Sequence, residues 1–323
     1  MKTSPCSSQV IFFASRSAPK TTISLSGSAG HAVFLTNVSI HLKIIAIIHP
    51  TLVSEVFCMI RRKIGIRALG LLLAIALVLA FSGSLIAAER LDRILETKTL
   101  RVGTPGDYRP FSILNKETGT YEGHDIELVE LLATELGVKV EFVPTTWPKL
   151  MEDYQADKFD IAVGGITRSL ARMLKGDFLP PYAPNGKVAL IRKADKERFV
   201  SLEAMDVPET TVIVNPGGTN EKFVNANFKN AKIVVHEKNA EIPAMIAEGK
   251  GDVMITEVYE AVTYARKDDR LYGAFLDKPL TKISFMGFFI QKDDPDFLRV
   301  MHYLWNDAKL RGDLDKLFDR WLK

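Results

Sequence analysis

The chain has 323 residues, of which 25% are charged, and its 42 Lys and Arg against 39 Asp and Glu give a formal net charge of +3. Charge so evenly mixed offers no basic stripe for nucleic acid. Both cysteines, Cys6 and Cys58, fall in the N-terminal segment, so the rest of the chain has no disulfide framework and no thiolate chemistry.

Residues 1–58 are rich in Ser and Ile and show no sustained helical or alternating period. Then Met59-Ile60-Arg61-Arg62-Lys63 opens a cationic stretch, followed by an apolar run from Ala68 to Phe81 and small residues ending at Ala87-Ala88. That order of basic, apolar and small residues is the pattern of a secretory signal, and cleavage is expected near Ala88. A membrane anchor is the competing reading, because residues 68–88 are about long enough to span. A signal belongs at an N-terminus, so Met59 is the expected initiator and 1–58 an over-extended start. The expected address is the periplasm.

The remaining segment is longer than one small core needs and suits two lobes. Residues 91–95 read as a short amphipathic helix, 99–104 as a strand, and Tyr108-Arg109-Pro110-Phe111-Ser112 as an aromatic loop beyond its end. An apolar-periodic helix is expected over 126–136 and an alternating strand over 138–143. Thr145-Thr146-Trp147-Pro148 reads as a helix entry. A strand at 159–163 ends in Gly164-Gly165, and a loop and helix start follow over 167–172. Leu190-Ile191-Arg192 reads as the first crossing into a second lobe. That lobe holds a strand at 210–214, a helix at 220–229, a strand at 232–235, a helix at 240–248, a strand at 252–256 and a helix at 257–266. The apolar strand 284–290 returns the chain, and helices over 296–310 and 314–322 close the first lobe. Alternating strands and helices give an α/β class. Two crossings between lobes make a hinge with a cleft, a common home for small ligands. The expected division is lobe 1 over 91–189 plus 290–323 and lobe 2 over 190–289.

The stretch Val214-Asn215-Pro216-Gly217-Gly218-Thr219-Asn220-Glu221-Lys222-Phe223 is a strand end, a glycine turn and a helix start. Main-chain N–H groups there, reinforced by the helix dipole, suit an anion. Thr219 or Asn220 is expected to cap the helix. The bland alternative is an ordinary capped turn. His124, His236 and His302 stand far apart in no ligand spacing, and neither a serine elbow nor a phosphate loop is present. No metal and no cofactor is therefore expected.

Across 91–323 the chain resembles the type II periplasmic solute-binding proteins that serve polar amino-acid transporters. The likeness lies in Leu100-Arg101-Val102-Gly103 with Pro110-Phe111, Gly123-His124-Asp125-Ile126-Glu127, Phe159-Asp160-Ile161-Ala162 and Arg172. A narrower likeness lies in Asp107-Tyr108-Arg109-Pro110-Phe111-Ser112, Pro144-Thr145-Thr146-Trp147-Pro148, Asn185-Gly186-Lys187 and the run 213–223. These are similar to periplasmic cyclohexadienyl dehydratases, which convert prephenate to phenylpyruvate and arogenate to phenylalanine. Three positions depart: His124 stands where a Phe is usual, Arg168 in an apolar loop position, and Glu257 in place of Asp.

The resemblance implies an enzyme that grips a dicarboxylate and protonates a departing hydroxyl. Arg172 suits one carboxylate through its guanidinium fork. Asn215, Thr219 and Asn220 are expected to hydrogen-bond the substrate, with Thr167 and Tyr108 lining the cleft and Trp147 walling the ring. Glu260 falls at the family's proton-donor position. It sits three residues past Glu257, so the two are expected on one helical face, each raising the other's affinity for a proton. Lys187 is expected to steady leaving-group charge. Read residue by residue, each could instead be a solvated surface or core side chain. The competing function is a non-catalytic amino-acid-binding protein, with Arg172 and Glu257 holding a zwitterion for delivery to an ABC permease. Oligomeric state, including a homo-oligomer, is left open by the sequence.

Overall fold

A computed structural model describes residues 89–323. The expected extension at 1–58 and signal at 59–88 lie outside the described residues. Among the described residues no helix is long and apolar enough to cross a membrane.

Two five-stranded sheets organise the chain. The first lobe opens with helix α1 (Glu89–Thr97) and strand β1 (Thr99–Thr104). Three short strands follow, β2 (Asp107–Tyr108), β3 (Ser112–Leu114) and β4 (Tyr121–Glu122), paired antiparallel in a small sheet. Helix α2 (His124–Leu136), β5 (Lys139–Pro144), helix α3 (Leu150–Gln155), β6 (Ile161–Ala162), helix α4 (Leu170–Met173) and β7 (Asp177–Phe178) complete the outward pass. The chain then crosses through β8 (Ala183–Asn185) into β9 (Lys187–Arg192). The second lobe holds helix α5 (Leu202–Met205), β10 (Thr211–Val214), helix α6 (Thr219–Asn227), β11 (Lys232–Val235), helix α7 (Ile242–Ala247), β12 (Val253–Glu257), helix α8 (Val258–Lys267) and β13 (Leu271–Ala274). Strand β14 (Ser284–Met286) returns the chain to β15 (Phe289–Ile290), and helices α9 (Pro295–Leu310) and α10 (Asp313–Trp321) close the first lobe.

The first sheet runs β5-β1-β6-β15-β7 and the second β11-β10-β12-β9-β13. In each, the first three strands are parallel and the last two pair antiparallel. The crossings β8 and β14 pair with each other, Asn185 opposite Ser284 and Ala183 opposite Met286, so the hinge is itself a two-stranded ribbon.

Both faces of the second sheet are covered, which explains its continuous apolar strands. Val212 and Val214 point into one buried cluster with Phe199 and Ile255. Ile213 between them points into the other, with Leu190, Met254 and Ile246. The first lobe is centred on Trp305, fully buried on α9 and set edge-on to Phe288 at 5.4 Å.

Several expected boundaries move. Lys187 and Val188 already pair with β12, so the second sheet begins before residue 190 and the first crossing is β8. The return strand expected over 284–290 is two strands, because Met286 ends the hinge ribbon and Phe289 starts a new pairing with β6. Strand β13, Leu-Tyr-Gly-Ala, goes unread in the sequence: two of its four residues have low strand propensity and tertiary pairing with β9 imposes the conformation. Truncating Trp305 to Ala is expected to cost ~3–5 kcal/mol, measured as a lower urea midpoint with an unchanged slope.

Candidate active site

The ends of β2, β10 and β12 and the start of α6 converge on a narrow cleft of about 20 Å³, lined by Tyr108, Trp147, Thr167, Arg172, Asn215 and Glu257 among others, while Lys187 and Glu260 are not part of that lining. Its organising group is the buried Glu257 carboxylate, placed at the end of β12. Lys187 Nζ donates to its Oε1 at 2.6 Å and Thr167 Oγ1 donates to the same oxygen at 2.9 Å. The Tyr108 hydroxyl donates to Oε2, and Thr219 Oγ1 stands 3.4 Å from Oε1. Burial alone would raise the proton affinity of Glu257, but the Lys187 charge and the bonds from Lys187, Tyr108 and Thr167 more than offset it and hold the carboxyl below its ordinary range.

Lys187 is equally committed. Besides Glu257 it donates to Thr219 Oγ1 at 2.7 Å and to Asn220 Oδ1 at 2.5 Å. This changes the expected role of those two residues at the helix start. The N-cap of α6 is Gly218, with no side-chain capping bond, because the Thr219 and Asn220 side chains are turned toward the ammonium. Glu221 reaches back to accept the Gly217 N–H at 2.7 Å, taking one of the donors expected for a ligand anion. The N–H groups of the first turn of α6 have no intrahelical partner, as at any helix start.

Glu260 faces elsewhere. Glu257 has extended backbone, with φ −127° and ψ 161°, and precedes the first turn of α8. The two carboxylates therefore do not share one helical face, and the expected three-residue spacing does not apply. The Glu260 side chain is fully buried. Its Oε1 accepts from Asn239 Nδ2 at 2.7 Å, and its Oε2 bonds the Thr256 hydroxyl. Burial, with smaller contributions from Asp107 and Glu257, pushes its proton affinity well above the carboxylate range. No ion-pair partner meets it among the described residues. The acid is thus kept protonated mainly by desolvation, and only slightly by its carboxylate neighbour.

Asn239, which the sequence reading missed, lines the cleft and also holds Glu260. The same amide nitrogen donates to the Asp107 main-chain oxygen at 3.2 Å, tying the second lobe to the first. The short 3-10 turn Asn239–Glu241 that carries it precedes α7, and an isolated Asn in a polar loop gave no signal.

Arg172 lines the cleft on α4, capped by Ser169. Its Nη1 donates to the Thr167 main-chain oxygen at 2.7 Å, and no carboxylate pairs with it among the described residues, so its charge is available to a ligand. Trp147 walls the cleft, edge-on to Tyr108 at 5.8 Å and 87°, with its indole N–H on Asp107 at 2.9 Å. Asn215 is buried at the end of the β10 turn. Across the mouth, Gly217 takes φ +80°, and a Cβ there would lie 2.3 Å from the Pro148 nitrogen of the other lobe. Two positions that depart from the resemblance lie outside this cleft lining. His124 bonds Asp125 at 2.8 Å and stacks on Tyr182 at 4.9 Å, while Arg168 lies 5.6 Å over the Phe178 ring.

Residues 100–323 match the family described as bacterial extracellular solute-binding proteins, family 3. The chain is 41% identical over 248 residues to the cyclohexadienyl dehydratase of Pseudomonas aeruginosa, covering 76% of this chain and 91% of that protein. It is 25% identical over 259 residues to the L-cystine-binding protein TcyJ of Escherichia coli, covering 80% and 96%. Among solved structures it superposes with a TM-score of 0.66 and 38% identity on an ancestral amino-acid-binding protein described as a precursor of cyclohexadienyl dehydratase, covering 72% of this chain and 99% of that one.

Burial raises Asp107 from 3.8 to about 6, against the Trp147 bond, which lowers it. A raised carboxyl destabilises the fold once ionised, so this cost is absent well below pH 4 and complete above pH 6. Asp107→Asn keeps an acceptor for Trp147. It is expected to stabilise the protein by ~1–2 kcal/mol at pH 8, after allowance for partial solvent contact, with the gain vanishing at pH 3 in urea unfolding.

Proposed function

The chain belongs to family 3 of the bacterial extracellular solute-binding proteins, and from that premise we propose that it is a cyclohexadienyl dehydratase acting on prephenate, arogenate or both. One observation carries this reading. The carboxylate that an amino-acid receptor would offer to its ligand's ammonium group is already held by Lys187 at 2.6 Å, while a second carboxyl, Glu260, is buried without a cation. A receptor for zwitterions needs the first group free and has no use for the second. An acid catalyst needs a carboxyl that is still protonated at neutral pH.

The reaction takes up one proton. Prephenate loses its ring carboxylate as carbon dioxide, the electron pair of the broken carbon–carbon bond enters the ring, and the carbon–oxygen bond to the ring hydroxyl breaks. That oxygen leaves as water, carrying the proton supplied by Glu260, and phenylpyruvate remains. Aromatisation supplies the drive, so the protein has to bind, orient and protonate. Arg172 takes one carboxylate in its fork, and the N–H groups at the start of α6 take the other. Lys187 is placed to balance negative charge as it redistributes. Trp147 and Tyr108 exclude water around the ring. Glu260 lies behind the cleft lining, bonded to Asn239, which does line it; in this reading its proton is delivered where the Asn239 amide meets the cleft, with Asn239 as its positioning residue. The family's description is extracellular, and we read this member as periplasmic.

The purified protein mixed with prephenate should form phenylpyruvate, read by ultraviolet absorbance; prephenate bound but unchanged would leave a receptor and sink the enzyme. Glu260→Gln should lower kcat by ~10²–10⁴-fold with prephenate affinity within a few-fold of the parent. Since the acid form is the active one, kcat should hold steady at low pH and fall as pH climbs through the raised Glu260 value. With Lys187 occupying Glu257, kcat/KM should favour prephenate over arogenate by roughly ten-fold, measured on the two substrates side by side.

A further inference from the structure

The donors gathered at the cleft converge on a carboxylate of the chain itself. Lys187 Nζ and Thr167 Oγ1 donate to Glu257 Oε1 at 2.6 and 2.9 Å, and the Tyr108 hydroxyl donates to Oε2. An ammonium, an aliphatic hydroxyl and a phenol around one carboxylate is the kind of set that a site for a small acid presents to its ligand. Tyr108 and Thr167 come from the first lobe, while Glu257 ends β12 in the second. The Asn239 amide adds a further bond across the junction, to the Asp107 main-chain oxygen at 3.2 Å.

The space left is correspondingly small. At about 20 Å³ the cleft has room for about one water, against ~300 Å³ or more for a site that takes a small organic molecule. A ligand therefore enters only after the lobes part, and parting breaks the bonds from Tyr108 and Thr167 to Glu257. Side-chain length decides whether those bonds exist. The resemblance places Asp at this position, one methylene shorter. Drawing the carboxylate back by up to ~1.5 Å takes the 2.9 Å Thr167 contact beyond hydrogen-bonding range. Lys187, on β9 of the same lobe as Glu257, has a flexible stem that can follow the carboxylate.

We propose that Glu257 is an internal competitor for the ligand's carboxylate: it occupies the donors Lys187, Thr167 and Tyr108, latches the two lobes together, and gives up the first-lobe donors when a carboxylate ligand enters. Such a competitor lowers the apparent affinity by the fraction of molecules held shut. The proposal rests on the dehydratase reading for the identity of the ligand, but the latch itself needs no ligand.

The full chain with Cys6→Ser, Cys58→Ser, Lys149→Cys and Lys222→Cys carries two unique labelling points. Both lysines are exposed, and they flank the rim where Gly217 meets Pro148. With nitroxides there and no added ligand, Glu257→Asp and Tyr108→Phe should each move the label separation to longer distances. Tyr108→Phe differs only by its hydroxyl, so it tests the latch even if the Asp variant fails to fold. Phenylpyruvate, which the reaction does not consume, should bind Glu257→Asp about three- to ten-fold tighter than the parent in calorimetric titration. Separations equal to the parent's in both variants would overturn the latch. Phenylpyruvate bound by both proteins, with Glu257→Asp no tighter than the parent, would overturn the competition. Phenylpyruvate bound by neither, with lobes that part in both variants, keeps the latch and removes the dehydratase.

Discussion

The arrangement depends on one buried anion. The Glu257 carboxylate receives Lys187 and Thr219 from its own lobe and Tyr108 and Thr167 from the other. Removing it from water is costly, and only this set of donors makes the position tolerable. Deleting the ammonium alone would leave an uncompensated buried charge, at a cost of about 3–5 kcal/mol. The same bonds set the geometry of everything near them. They pull the first turn of α6 toward β9, commit the Thr219 and Asn220 side chains, and draw the two lobes together at a fixed point.

A division of labour between two carboxyls three residues apart follows from that satisfied anion. Glu257 ends a strand among donors and stays ionised; Glu260 starts a helix among Thr256, Asn239 and apolar neighbours and keeps its proton. Environment separates them, in the manner expected of an acid and its electrostatic counterpart. Asn239 joins the two regions, since a single amide touches the acid, the cleft and the main chain of the opposite lobe.

Much of this was legible in the sequence. The β-branched run before Gly217-Gly218 pointed to β10 and the start of α6, apolar periodicity located α2, and the helices expected over 257–266, 296–310 and 314–322 fall within one residue of α8, α9 and α10. The fold brings Tyr108, Trp147, Thr167, Arg172, Asn215, Thr219, Asn220 and Glu257 to one cleft, with Lys187 behind it on Thr219, Asn220 and Glu257, and leaves Glu260 outside the lining. What escaped has physical causes. Helical spacing placed Glu257 and Glu260 on one face, but the boundary between β12 and α8 falls between them and rotates the first away. Capping preference favoured Thr219, but Lys187, distant in sequence, competes for the same hydroxyl. Asn239 carries no periodic or motif signal, and its importance comes from two contacts made far along the chain. The edge strand β13 has too little local preference to be read without its partner.

The approach of Gly217 to Pro148 has a consequence for access. Gly217 main chain packs against Pro148 there, so no Gly217 side chain can flex aside at that contact. Passage at that point requires the two main chains to separate, so there the opening of the cleft is a movement of one lobe against the other. That geometry couples access at this rim to lobe movement rather than to a side-chain rotamer.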